Sequence, residues 1–245
     1  MISFIVPAYN EEQFLGPTLR AIHAAASTLG HPYEVIVVDD ASTDRTVEVA
    51  RTCGARIVGV HHRQIAGTRN AGARAASGDT LIFVDADTLV TAGTVQASVD
   101  ALRRGAVGGG ATLRLDGRLP WHGWLLLWSV RTGMRLGRLA AGCYLFCTRA
   151  AFEAVGGFDE GLFATEELAL SRALQKQGRV VILRESVVSS GRKLRTFSGW
   201  EILRLLSSLA RRGPGMLRSR DRLDLWYGRR RTDSHAYGDR GGAIS

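Results

Sequence analysis

The chain has 245 residues, 45% hydrophobic and 22% charged, which suits one large domain or one domain with an appendage, and it is long enough to bury a substantial core. Its three cysteines, an odd number without a Cys-X-X-Cys, argue against a disulfide framework or a zinc site and fit a reducing compartment. The net charge of +9 is uneven: residues 191–231 hold 12 Lys/Arg and 3 Asp/Glu, the rest of the chain 20 of each, so the basic quarter asks for an anionic partner such as a membrane surface, a lipid phosphate or a nucleic acid.

Ile2–Val6 reads as a strand that begins at once, with no basic leader ahead of it. Helical spacing follows from Glu11 to about Leu29, carried by Phe14, Leu15, Thr18, Leu19 and Ile22. Glu34–Val38 is a second buried strand that ends at Asp39-Asp40. Residues 42–53 read as a helix with Ser42 or Asp44 near its N-cap. Ala55–Val60 is a third strand, Ala66–Ala76 a small-residue helix, and Thr80–Val84 a fourth strand. Strands that alternate with such helices predict βαβ units and a parallel sheet.

The second half is less regular. Val107–Leu115 and Gly142–Thr148 are strand candidates, and Trp121–Leu139 looks helical. Ala150–Val155 and Glu166–Gln177 read as helices and Arg179–Leu183 as a last strand. Gly199–Arg212 is an amphipathic helix, and residues 232–245 read as a loose tail. Cys143 and Cys147 read as small buried apolar residues. The longest apolar run, Trp121 to Val130, is too short to span a membrane and is followed by Arg131.

Asp85-Ala86-Asp87 closes the apolar run of the fourth strand, where open α/β sheets bind ligands. Alternation along a strand starts Asp85 and Asp87 on the same side, and two such carboxylates ask for a hard divalent cation carrying a diphosphate. Pro7-Ala8-Tyr9-Asn10-Glu11 and Asp39-Asp40-Ala41-Ser42 leave the first and second strands on the same edge, and Arg69-Asn70 sits on the helix after the third. Together they predict a nucleotide pocket: a turn and a ring for the base, a carboxylate for base or ribose, an arginine for charge, and a metal pair.

The runs Ile5-Val-Pro-Ala-Tyr-Asn-Glu-Glu12, Val37-Val-Asp-Asp-Ala-Ser-Thr-Asp44, Arg69-Asn-Ala-Gly72 and Asp85-Ala-Asp87 resemble family 2 glycosyltransferases in order and spacing, over roughly residues 1–185. The resemblance implies an α/β GT-A fold with a mostly parallel central sheet flanked by helices. It implies a domain at 1–190, with a nucleotide-binding half at 1–90 and an acceptor half at 91–190, followed by a basic C-terminal extension at 191–245. The implied activity is inverting transfer of a sugar from a nucleoside-diphosphate-sugar, with Mg²⁺ or Mn²⁺. Pro7, Ala8, Tyr9 and Glu11 would border base and ribose, and Asp39 or Asp40 would hydrogen-bond the base. Arg69 and Ala86 would lie near the nucleotide, Asp85 would contact ribose or metal, and Asp87 would ligate the metal.

The acceptor hydroxyl must lose a proton, so a general base is expected. The family's Glu-Asp pair falls on Glu166-Glu167, and the departure at Glu167 leaves the base open between the two. The bland alternative is an acidic first helical turn. Gly156-Gly-Phe-Asp-Glu160 matches a family stretch near the acceptor. Arg192 or Lys193, after the last strand, would share charge on the diphosphate. Processive relatives carry Gln-X-X-Arg-Trp and several membrane spans, and neither occurs here.

Trp124, Trp128, Arg131, Arg135 and Arg138 recur at steps of 4, 3, 4 and 3, one stripe on a helix. It reads as a membrane-facing stripe or as core tryptophans followed by a solvated arginine face. With residues 191–231 it points to a cytoplasmic enzyme held peripherally on the inner face of the cell membrane, acting on a lipid-linked acceptor. The competing readings are a soluble enzyme acting on a small molecule or glycan, a degenerate inactive member, a sugar nucleotidyltransferase and a basic nucleic-acid binder. The nucleotidyltransferase lacks its Gly-rich loop after the first strand. Nucleic acid is not expected as a partner, because only Trp226 and Tyr227 stand near the arginine clusters.

Overall fold

The computed structural model describes residues 1–116, 124, 128, 132–140 and 142–191. Its centre is an eight-stranded sheet in the order β3-β2-β1-β4-β7-β6-β8-β5. The strands are β1 (Ile2–Ala8), β2 (Tyr33–Asp39), β3 (Arg56–Gly59), β4 (Thr80–Val84), β5 (Thr88–Leu89), β6 (Ala106–Leu115), β7 (Tyr144–Thr148) and β8 (Arg179–Ser189). The pairs β1–β2, β1–β4, β2–β3 and β6–β8 are parallel, and the remaining three are antiparallel. The mostly parallel sheet expected from the sequence is therefore present, with an antiparallel insertion through β7.

The strands β1, β2 and β4 are nearly continuous apolar runs because both sheet faces are covered. Phe4 and Val6 belong to one core with α1 (Leu15–Ser27) and α4 (Ala92–Arg103), while Ile5, Val38 and Phe83 belong to the other with α3 (Ile65–Ala75), α5 (Arg149–Ala154) and α6 (Glu166–Gln177). Leu15, Leu19 and Ile22 on α1 form an i, i+4, i+7 stripe and are fully buried. On α3 the helix comes close to the sheet at Gly72, where a Cβ would lie 2.7 Å from Val38 Cγ2. That approach sets Arg69, one turn earlier, at the sheet edge.

Several elements depart from the sequence reading. Helix α2 (Thr46–Thr52) starts four residues later than expected, because residues 42–44 are drawn into bonds with the loop after β1. Helix α4 is not anticipated at all, although Thr91 caps it by accepting from the Thr94 N–H and Val95 and Val99 give it an apolar face. Strand β8 runs on to Ser189 rather than Leu183, past a register shift opposite Gly110–Thr112, and pairs with β5 at Thr88↔Ser189. Residues 124, 128 and 132–136 are helical, but Arg138 has left-handed backbone (φ 51°) and ends the expected stripe early. The helix expected at 199–212, the tail, and Arg192 and Lys193 lie outside the described residues.

Candidate active site

The register brings Ala8, Asp39 and Gly59 level at the C-terminal ends of β1, β2 and β3. The loops leaving β1 and β2 are stitched together. The Asn10 N–H donates to Ser42 Oγ (2.9 Å), the Thr43 N–H to Asn10 Oδ1 (2.8 Å), the Glu11 N–H to Thr46 Oγ1 (2.8 Å) and the Asp40 N–H to the Ala8 carbonyl (2.9 Å). Pro7, Ala8 and Glu11 are buried, and the Glu11 carbonyl accepts from the Phe14 and Leu15 N–H groups at the start of α1. The Arg63 guanidinium stacks 4.2 Å from the Tyr9 ring centroid.

The two carboxylates after β2 differ. Asp40 accepts from the Arg63 N–H (2.9 Å), the Gln64 N–H (3.1 Å) and the Thr68 hydroxyl (3.1 Å), so it secures the N-terminus of α3. Asp39 accepts from the Ser42 N–H through Oδ2 (3.3 Å), but its buried Oδ1 has no hydrogen-bond partner. An orphaned buried acceptor is costly by about 1–3 kcal/mol, and a ligand N–H would relieve that cost.

Arg69 is the hub. It is 2% exposed, and its NH1 donates to Glu166 Oε1 (2.8 Å). NH2 donates to both Asp85 Oδ1 (2.8 Å) and the Gly142 carbonyl (2.8 Å). The guanidinium lies 5.3 Å from the Phe158 ring centroid. Burial pulls its pKa down, but Asp85, Glu166 and Glu167 more than offset this and keep the guanidinium charged. The neighbouring Asn70 ties the loop ahead of α6: its amide donates to the Phe158 carbonyl (2.9 Å) and Glu160 Oε1 (2.9 Å) and accepts from the Phe158 N–H. Gln64 reaches the same loop, at the Glu160 and Leu162 carbonyls.

Glu166 and Glu167 open α6. Thr165 precedes them in left-handed backbone (φ 63°), which is strained for a β-branched residue and clusters at functional sites. Glu166 is buried and committed to Arg69. Glu167 is half-buried, with its carboxyl against the Gly142 backbone. Desolvation, then the charge of Glu166, push its pKa up to about 8, against a downward pull from Arg69.

Asp85 keeps 28% of its side chain exposed although Oδ1 is paired with Arg69. Asp87 Oδ1 accepts from the Ser189 hydroxyl (3.3 Å), and its carbonyl accepts from the Ser190 N–H (3.1 Å), so the end of β8 closes over this turn. Ala86 is buried and its carbonyl accepts from Thr18 Oγ1 (2.9 Å). The buried Cys143 thiol has a strongly raised pKa, from burial first and then from the charges of Asp85 and Asp87. Among the described residues no three His, Cys, Asp or Glu side chains gather into a cage. Asp85 and Asp87, two residues apart after β4, are hard oxygen donors of the type that Mg²⁺ or Mn²⁺ takes.

The structure thus brings Asp85, Arg69, Glu166 and Glu167 together behind the strand ends. Sequence reasoning missed Gly142 and Gln64, which no local pattern distinguishes because their contacts are 73 or more residues away or made through backbone. Away from this centre, Trp124 and Trp128 are 62% and 55% exposed and Leu136 is 81% exposed, which removes the core reading of the tryptophan stripe. Among the described residues no helix is long and apolar enough to cross a membrane.

Residues 3–152 match the family described as "Glycosyl transferase family 2". The undecaprenyl-phosphate 4-deoxy-4-formamido-L-arabinose transferase of Edwardsiella ictaluri is 33% identical over 129 residues, 49% of this chain and 39% of that protein. The same-named transferase of Aeromonas hydrophila is 37% identical over 94 residues, 36% of this chain and 29% of that protein. The chain therefore spans well under half the length of these curated relatives. Among solved structures, the mannosyltransferase PcManGT from Pyrobaculum calidifontis, in complex with GDP-Man and Mn²⁺, superposes with a TM-score of 0.64 at 23% identity, covering 83% of this chain and 60% of that one. S. aureus TarS 1-349 in complex with UDP-GlcNAc does so with a TM-score of 0.60 at 20% identity, covering 78% of this chain and 58% of that one. These likenesses show the GT-A fold.

Proposed function

The chain belongs to glycosyl transferase family 2, and we propose that it moves a sugar, with inversion, from a nucleoside-diphosphate-sugar to a polyprenyl phosphate. The observation that carries this reading is the convergence of Asp39, Asp85 and Glu167 on one edge of the sheet, held by Arg69 and Asp40. In the proposal residues 1–190 form the catalytic unit and 191–245 a basic extension. The names of the curated relatives and the exposed tryptophans support the lipid phosphate as acceptor.

In this reading the base lies against Pro7, Ala8, Tyr9 and Glu11, and Asp39 Oδ1 accepts a base N–H. Asp40 serves the site indirectly by fixing α3. Asp85 and Asp87 would hold Mg²⁺ or Mn²⁺, which would neutralise charge on the departing diphosphate. Arg192 or Lys193, which follow Gly191 in the chain, would add positive charge there. The bond from the anomeric carbon to the diphosphate breaks with its electron pair as an acceptor oxygen closes from the opposite face. A phosphate monoester has a second pKa near 6, so this oxygen arrives already deprotonated. Glu167 then has no proton to remove; uncharged, it lets an anionic acceptor approach.

The test is thermal stabilisation by UDP-, GDP- and dTDP-sugars, with and without Mn²⁺. One nucleotide is expected to give a shift that grows with Mn²⁺. Asp87→Ala should lose the metal-dependent part, and Asp39→Asn should weaken the metal-free part. Asp40→Asn should lower the stability of the unliganded protein instead. A wild-type chain that no nucleotide stabilises would end the donor reading.

A further inference from the structure

We propose that Arg69 is not a nucleotide ligand but a positioning residue, which locks the Asp85 turn and the Glu166–Glu167 turn into one rigid unit. The proposal rests on the donor reading above. The family resemblance places Arg69 near the nucleotide, yet its side chain is 2% exposed and both terminal nitrogens are committed within the protein. The remaining donor, Nε, is buried without a partner among the described residues, out of reach of a solvent-borne nucleotide. Three bonds of 2.8 Å reach segments 16, 73 and 97 residues away: the end of β4, the approach to β7 and the start of α6. A buried arginine fork is suited to this because its donors are fixed in a plane, whereas a lysine ammonium is a single point that cannot span the three acceptors.

The anchoring of α3 supports the same role. Asp40 holds the N-terminus of the helix, Gly72 lets it sit close on the sheet, and Asn70 and Gln64 bind the loop that leads into α6. The arginine is thus placed by contacts on both sides and places two carboxylates in turn. Asp85 is left with one oxygen outside the Arg69 pair, and Glu166 is used up as counter-ion, so that Glu167 alone of the acidic pair meets the acceptor. One side chain connects the donor half of the site to the acceptor half.

The full-length chain is titrated with the stabilising nucleoside diphosphate in EDTA and again in Mn²⁺, followed by steady-state kinetics. Arg69→Lys is expected to bind the metal-free nucleotide within about twofold of wild type. Its Mn²⁺-dependent gain in affinity should fall about tenfold, and kcat about 100-fold, with donor KM changed less than about threefold, the scale expected of misplaced reacting groups. A tenfold loss of metal-free nucleotide affinity would make Arg69 a direct ligand and overturn the proposal; unchanged kcat and Mn²⁺ response would overturn it equally. If Arg69→Lys does not fold, Glu166→Gln decides. Loosening one arm of the clamp should lower kcat about tenfold or more with nucleotide affinity intact, and wild-type kcat in that variant removes the positioning role. Wild type that binds no nucleoside diphosphate sinks the donor reading itself, a result separate from any variant.

Discussion

Gly142 and Glu167 occupy the space of one methyl group between them: a Cβ built on Gly142 would lie 2.8 Å from Glu167 Oε1. The Gly142 backbone is not in the left-handed region, so alanine is conformationally acceptable there. The clash falls on the end of a flexible side chain rather than on backbone. Gly142→Ala should therefore cost about 1 kcal/mol, or a fall in Tm of about 2 °C. It should also push the Glu167 carboxyl aside, which should leave transfer to a lipid phosphate within about threefold but lower transfer to a hydroxyl at least about tenfold, with donor affinity unchanged in either case. A tenfold loss of transfer in Gly142→Ala would make Glu167 a reacting group and favour the hydroxyl acceptor.

Trp124 and Trp128 are helical, four residues apart and mostly solvent-exposed, which puts two large aromatics side by side on one surface. Arg135 and Arg138 are exposed nearby in the chain. Tryptophan favours the membrane interface and arginine binds lipid phosphate. The protein is expected to sediment with vesicles containing phosphatidylglycerol at low salt and much less with neutral vesicles. The double change Trp124→Ser and Trp128→Ser should weaken sedimentation while leaving nucleotide stabilisation as in wild type. Equal partition with and without anionic vesicles refutes membrane association.

The parallel half of the fold was legible because strands buried on both faces are unbroken apolar runs, and because Asp39-Asp40 and Asp85-Ala-Asp87 mark where those runs stop. Helix α4 was missed although its cap is local, since its apolar face is narrow. The roles of the marked residues were less legible than their positions. Nothing in Asp39-Asp40 tells which carboxylate serves a helix and which has a free oxygen; the difference lies in Arg63, Gln64 and Thr68, 23 or more residues away. Arg69 was likewise visible as a charge, but only the fold shows its two terminal nitrogens spent on Asp85, Gly142 and Glu166 while Nε is buried without a partner among the described residues.

Glu167 provides the reading of acceptor chemistry. Its pKa is raised from 4.5 to about 8 by burial and by Glu166, with Asp85 adding to the rise and Arg69 opposing it. Between those values the folded chain holds a proton that the unfolded chain releases, so this group makes stability fall as pH rises from about 4.5 to 8 and level off above. Glu167→Gln removes that slope, and its stability gain over wild type should appear as pH rises through the same window. The rate separates two acceptors. A hydroxyl needs Glu167 ionised as base, so activity would climb through pH 8 and Glu167→Gln would lose about 10²–10⁴-fold. A lipid phosphate needs no base and is repelled by the ionised carboxylate. Activity should then rise through about pH 6 as the phosphate ionises and fall through about pH 8 as Glu167 does. Glu167→Gln should keep the first limb and lose the second. A wild-type profile still climbing at pH 8 would replace the polyprenyl phosphate with a hydroxyl acceptor and make Glu167 the base.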